Sequence, residues 1–185
     1  MKSEIEVKAK IKDFDAILSK LEEIGCELSE PIIQDDYIFN QKGIHLKDHS
    51  HNTPVLRIRE QGGKILFTLK KNRSGELDCI EKEIEVSDRN TLKDIIELLG
   101  FEQTVEVHKK RRKGNYHDYE ICLDEVRGLG TFIEVEKMSD EDGEKVQNEL
   151  FEFLKKLGVS KEDRVFIGYD SQLWLKYNGT NGSVS

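Results

Sequence analysis

Glu4-Ile5-Glu6-Val7-Lys8 alternates charged and aliphatic residues with a period of two. In an extended strand that places Glu4, Glu6 and Lys8 on one face and Ile5 and Val7 on the other. Two carboxylates and an ammonium sharing a face are the groups that a divalent cation and a phosphate require. The pattern recurs in Arg57-Ile58-Arg59 and in Glu134-Val135-Glu136. Same-face residues of a strand lie about 6–7 Å apart, so Arg57 and Arg59 can grip neighbouring phosphates of one chain. Carboxylate oxygens match Mg2+ or Mn2+.

Strands must position these residues, and strand-like runs lie near 3–11, 32–40, 54–60, 64–71, 79–86, 102–113, 116–124 and 130–137. Gly62-Gly63 signals a hairpin between two of them. Three helical stripes separate others. Phe14, Ile17, Leu18, Leu21 and Ile24 form the first, capped by Asp13 and stopped at Gly25. Leu92, Ile95, Ile96 and Leu99 form the second, entered through Ser87-Asp88 and stopped at Gly100. The third runs from Ser139-Asp140 to about Leu157. EIEV at 83–86 repeats EIEV at 4–7, which suggests two related halves of one antiparallel sheet.

Each strand sorts its residues. Ile5, Val7, Ala9 and Ile11 oppose Glu4, Glu6, Lys8 and Lys10, and Leu56 and Ile58 oppose Arg57 and Arg59. Ile84 and Val86 oppose Glu81, Glu83 and Glu85, while Ile133 and Val135 oppose Phe132, Glu134 and Glu136. Two architectures fit. One is an antiparallel sheet with helices on one face and water on the other. The second is a closed barrel, apolar and helix-covered outside, with carboxylates and cations lining its lumen. Some polar faces carry only acids and others only bases, whereas a solvated face intersperses the signs. Opposite-charge pairing between neighbouring strands produces the same sorting.

With 185 residues the chain fits one domain able to bury a sizeable core. Charged residues make up 36%, and no run reaches the length of a membrane-spanning helix. MKSEIEVK has no apolar signal region, and Cys26, Cys79 and Cys122 form no CxxC pair; both features predict a cytoplasmic protein with reduced thiols. A net charge of −8 argues against general nucleic-acid affinity, so an anion site must concentrate its cations in one place. Lys109-Lys110-Arg111-Arg112-Lys113 is basic, but alternate strand residues point apart and no aromatic platform interleaves with them. His45, His49 and His51 are expected in a solvated loop, and Gly128-x-Gly130 reads as a turn. Trp174 and Tyr177 predict packing of a C-terminal segment. Residues 178–185 read as a disordered tail.

Glu4-x-Glu6-x-Lys8 resembles the ExExK signature of the CYTH superfamily, the triphosphate tunnel metalloenzymes. The family's order follows in Asp36-Tyr37, Leu56-Arg57-Ile58-Arg59, Phe67-Thr68-Leu69-Lys70, Lys109-Lys110-Arg111 and Ile121-Cys122-Leu123-Asp124-Glu125-Val126. The block from Gly128 to Glu136 is similar to the class IV adenylyl cyclase (CyaB-like) branch. The resemblance implies an α+β fold: one domain over 1–177, an eight-stranded antiparallel β-barrel forming a tunnel, with helices packed outside. It implies Mg2+ or Mn2+ held by Glu4, Glu6, Glu134 and Glu136, with Asp124 as ligand or supporting partner. Lys8, Arg57, Arg59, Lys70, Lys109 and Arg111 would contact phosphate, and Lys8, Lys70 and Asp124 are the catalytic candidates. Glu83 and Glu85 belong to the matching strand of the other half and are expected to point inward as well.

The chemistry so implied is conversion of ATP to cyclic AMP and pyrophosphate. Hydrolysis of thiamine triphosphate or inorganic tripolyphosphate is the alternative within the fold, and a non-catalytic nucleotide or polyphosphate sensor lies outside it. A homodimer is compatible with the family. Two departures stand out. Val105 and Val107 share strand phase with Lys109 and Arg111, which calls for a bulge to keep apolar residues outside. Near the end, Ile167-Gly168-Tyr169 stands where relatives carry an Arg-Ser-Tyr-like run.

Overall fold

The period-two strands close on themselves. The computed structural model describes residues 3–44, 53–75 and 78–178, in the order β1 (Ser3–Lys10), α1 (Phe14–Glu23), β2 (Ile32–Gln41), β3 (Pro54–Gln61), β4 (Lys64–Gly75), β5 (Asp78–Val86), α2 (Arg89–Leu98), β6 (Phe101–Tyr116), β7 (Tyr119–Val126), β8 (Gly130–Ser139), α3 (Gly143–Lys156), β9 (Arg164–Val165) and α4 (Tyr169–Asn178). Around the barrel the strands run β1-β5-β4-β3-β2-β6-β7-β8 and back to β1, all antiparallel. The β1–β5 seam is short, with Glu4 opposite Cys79 and Ile5 opposite Asp78. Further along β1, Lys8 and Ala9 pair with the two residues of β9. The closed barrel, not the half-solvated sheet, is therefore the architecture.

Apolar residues on the outside of the barrel are covered by helices. Ile5, Val7, Ala9, Ile121, Leu123, Ile133 and Val135 pack against α1 through Ile17 and Leu21 and against α3 through Val146, Leu150, Phe153 and Leu154. On the other side Phe39, Leu56 and Ile58 meet Ile96 of α2. The helices begin where a carboxylate satisfies a free backbone amide. Asp13 accepts from Ala16 N at 2.9 Å and Asp88 from Thr91 N at 2.6 Å. For α3 the cap is Asp142, which accepts from Lys145 N at 3.0 Å; it starts later than Ser139-Asp140 because β8 continues through Ser139. The β3–β4 turn places Gly62 at φ 56° and Gly63 at φ 79°, both in the left-handed region that the sharp reversal needs.

No bulge separates Val107 from Lys109. The register shift falls before both valines: Ile38 pairs with Val105 and Phe39 with Gln103, leaving Thr104 as the extra residue. From Val105 to Arg111 the odd positions of β6 therefore all face the lumen. Val107 is buried there with Ile38, Val126 and Phe132, joined by Tyr169 and Leu173 of α4. These side chains fill one end of the tunnel. A helix at the C-terminus was not legible in the sequence, and its anchors are Tyr169 and Leu173, one turn apart, rather than Trp174 and the exposed Tyr177.

Strand alternation splits the basic run as expected between Lys109 and Arg111, buried inside, and Lys110, exposed outside; Lys113 shares the inward phase but lies exposed beyond them, paired with Glu120. His45, His49 and His51 lie outside the described residues, as does the expected tail beyond Asn178, which still belongs to α4. Among the described residues, no helix is long and apolar enough to cross a membrane.

Candidate active site in the tunnel

The inner face of β1 delivers Glu4, Glu6 and Lys8, and β8 alongside delivers Glu134 and Glu136 in register: Glu6 lies opposite Glu136 and Lys8 opposite Glu134. One oxygen each from Glu4, Glu6 and Glu136 lies within 4.8 Å of the others. Crowding of buried carboxyls shows in their acidity. Burial, helped by Glu81 and Glu6 against the pull of Lys70, pushes Glu4 up to about 7. Burial, a hydrogen bond with Glu120, and the charges of Glu4 and Glu6 push Glu136 up to about 10. A dication at this all-oxygen cluster relieves that repulsion, so the donor set fits Mg2+ or Mn2+.

Glu134 and Asp124 occupy a different environment from this cluster. Arg111 clasps Asp124 with two bonds, Nε to Oδ1 at 2.7 Å and Nη2 to Oδ2, and also donates to Glu134. Lys8 Nζ lies 3.0 Å from Glu134 and 3.2 Å from Glu6. Although burial disfavours its charge, Arg111, Lys8 and Lys109 hold the Glu134 carboxyl well below the usual range. Lys8 mirrors this. Burial works against its charge, but Glu134 and Glu6 outweigh burial and keep the ammonium above the usual lysine range.

The remaining cations are arrayed around the wall. Arg59 forms a bidentate pair with Asp36 at 2.6 and 2.8 Å, both side chains buried. Arg57 Nη2 reaches Glu81 at 2.9 Å, Glu83 at 3.2 Å and the Thr68 hydroxyl oxygen at 3.0 Å, while Lys70 Nζ lies 2.9 Å from Glu81. Lys109 is the least satisfied, its one ion pair among the described residues being to Asp36 at 3.9 Å. Burial and the nearby charges of Arg111 and Arg59 bring its pKa down to about 8. Glu83 is half-exposed at the rim, and Glu85 pairs with Lys64 on the surface at 2.8 Å, so Glu85 does not contribute to the lumen.

Several site residues were not singled out from sequence. Glu81 shares a strand face with Glu83 and Glu85, but only the β4–β5 register, Lys70 opposite Glu81, reveals it as the inward partner. Asp36 alternates with Gln34 on β2, and its role emerges from Arg59 directly opposite. Tyr169 had no signal in strand periodicity because it enters from a helix. Its hydroxyl donates to Asp124 Oδ2 at 2.9 Å, its ring meets Phe132 edge-on, and Lys8 Nζ sits 4.0 Å from the ring centroid.

Comparison with known proteins agrees with this architecture. The CYTH domain family matches residues 2–169. A Methanocaldococcus jannaschii protein named "Putative adenylate cyclase MJ0240" is 33% identical over 170 residues, covering 90% of this chain and 95% of the relative. The solved structure of PH1819 from Pyrococcus horikoshii superimposes with a TM-score of 0.78 at 27% identity, covering 94% of this chain and 99% of the other. A Hippeastrum protein described as "Putative adenylyl cyclase HpAC1", revealing a dominant triphosphatase activity, shares the fold with a TM-score of 0.60 at 18% identity, over 96% of both chains. A closed tunnel of eight antiparallel strands, carboxylates and cations facing its lumen, and a family match over nearly the whole length converge: the chain belongs to the CYTH domain family.

Proposed function

We propose that the protein is a divalent-metal-dependent enzyme that binds a triphosphate in its tunnel, with cyclisation of ATP to cyclic AMP as the first reading. One observation carries this proposal. A protein of net charge −8 gathers Lys8, Arg57, Arg59, Lys70, Lys109 and Arg111 into one lumen beside a cluster of three carboxylates. The named M. jannaschii relative supports the cyclase reading.

Glu4, Glu6 and Glu136 would hold Mg2+ or Mn2+, which supplies charge neutralisation at the triphosphate oxygens. Lys109, held by a long ion pair and a contact with the Tyr169 ring, is the cation most open to phosphate, and Arg57 and Arg59 follow at strand spacing. Phosphate contacts to Lys8 and Arg111 would free Glu134 and Asp124 to help hold the metal or to support its ligands. The Lys8 and Lys70 ammonium groups stay charged, so they orient phosphate and stabilise developing negative charge rather than abstract a proton. In cyclisation the ribose 3′ oxygen forms a bond to the α-phosphorus. The bond from that phosphorus to the bridging oxygen breaks, pyrophosphate leaves, and the hydroxyl proton passes to solvent.

Hydrolysis of thiamine triphosphate or tripolyphosphate is the second reading, and the aromatic groups of the lumen favour tripolyphosphate, which carries no ring. Phe132 and Tyr169 pack on each other at 5.0 Å between centroids, and Lys8 covers the Tyr169 ring, so neither offers an open face to a purine. The Hippeastrum protein supports this alternative. Incubation with ATP, thiamine triphosphate and tripolyphosphate, each with Mg2+ or Mn2+, followed by phosphorus NMR, decides. Cyclic AMP with pyrophosphate establishes the first reading and orthophosphate the second. Binding without turnover of any of them would make the tunnel a sensor and overturn both.

A further inference from the structure

We propose that Glu4, Cys79 and Glu81 form a site for a thiophilic divalent cation, Zn2+ first among them, at the seam where β1 meets β5. Glu4 and Cys79 face each other across that seam, and Glu81 follows two residues along β5. A sulfur from Cys79 and one oxygen from each glutamate lie within 4.8 Å of one another. Small rotations of the three side chains would bring them to the zinc distances of about 2.3 Å for sulfur and about 2.0–2.2 Å for oxygen, leaving a fourth position for water or a phosphate oxygen.

The environment of Cys79 separates it from a packing cysteine. Cys26 is buried among the aliphatic residues under α1 and α3. Cys79 is also buried, at 4% exposure, yet belongs to none of the apolar clusters. Its thiol is in no disulfide and, among the described residues, takes part in no hydrogen bond. A buried sulfur that is left unpaired and turned toward two carboxylates is a ligand waiting for a metal. Lys70, 2.9 Å from Glu81, is the cation that neutralises this corner now, and its partly exposed, flexible stem lets it withdraw.

Sulfur gives this site a preference opposite to its neighbour's. The Glu4–Glu6–Glu136 cluster offers oxygen alone and suits Mg2+ or Mn2+, whereas Glu4–Cys79–Glu81 suits Zn2+ or Cd2+. Because Glu4 is common to both, a thiophilic ion on the seam removes a ligand from the all-oxygen cluster. Binding transfers the thiol proton to solvent as the metal–sulfur bond forms.

The full-length, metal-free protein titrated with Cd2+ tests this through the thiolate-to-cadmium charge-transfer absorption in the ultraviolet. The band is expected in the wild type, bleached by Zn2+, and retained in the Cys26→Ala/Cys122→Ala double variant. Cys79→Ser should abolish it and weaken Cd2+ binding at least about tenfold. Glu6→Gln should keep the band, since Glu6 belongs only to the all-oxygen cluster, so the outcome is separable from the triphosphate reading. Absence of the band in the wild type, its loss in the double variant, or its survival in Cys79→Ser would overturn the proposal. Should Cys79→Ser fail to fold by circular dichroism, the wild type and the double variant still decide.

Discussion

Glu4 and Glu136 are held back from ionising by burial and by neighbouring carboxyls, at about 7 and about 10. Both folded values lie above the unfolded one, so their protons stabilise the metal-free fold. That contribution is complete below the unfolded value, about 4.3, and is lost as pH rises through about 7 for Glu4 and about 10 for Glu136. Asp36, Glu81 and Glu134 behave oppositely: all are buried, yet Arg59 holds Asp36 low, Lys70 and Arg57 hold Glu81 low, and Arg111 and Lys8 hold Glu134 low. Their contribution is present above the unfolded values and lost in acid. Between about pH 6 and about pH 8, below the range where Lys109 begins to oppose the trend, the melting temperature of the metal-free protein should therefore fall, and Mg2+ should reverse the fall. Calorimetry should also detect protons released on Mg2+ binding, as a binding heat that varies with the ionisation enthalpy of the buffer; a buffer-independent heat would contradict the assignment. A second residue-scale prediction concerns Asp36→Ala, which strands the Arg59 guanidinium in the wall. A loss of about 3–5 kcal/mol is expected in urea denaturation, and a loss below about 1 kcal/mol would mean that Arg59 finds another partner.

At the scale of elements, α4 closes the tunnel through Tyr169 and Leu173, and its docking can be weighed by substitution. Leu173→Ala removes a buried side chain and should cost about 2–5 kcal/mol in thermal or chemical denaturation. Leu98→Ala, on the 88% exposed tip of α2, should change stability by no more than about 0.5 kcal/mol. Equal effects would show that α4 does not seal the lumen end. This element also marks the limit of legibility. Glu4, Glu6 and Lys8 announce an inward strand face because charge and aliphatic alternate without interruption, and the same holds for Arg57–Arg59 and Glu134–Glu136. Periodicity assigns a face but not a neighbour. Glu134 and Glu136 look equivalent in sequence, yet register sets one against Lys8 and Arg111 and the other among carboxyls. Val105 and Val107 break the polar-inside pattern because the end of the tunnel must be filled, a requirement that only three-dimensional closure imposes.

Across the whole molecule, most opposite charges in the lumen are already matched: Lys8 with Glu6 and Glu134, Arg57 and Lys70 with Glu81, Arg59 with Asp36, Arg111 with Asp124 and Glu134. A triphosphate alone must pull cations from their carboxylates and leave acids stranded; a metal alone takes Glu6 from Lys8 and adds positive charge to a lumen already lined with cations. The two together satisfy both sets, so each should raise the other's affinity by the same factor. Isothermal titration of tripolyphosphate with and without Mg2+, corrected for the complex they form in solution, measures that factor; a value of one would contradict it. The tunnel in this light is a mixed-bed ion exchanger. Its resting charge balance acts as a filter, admitting anion and cation as a neutral salt and discouraging either ion that arrives alone.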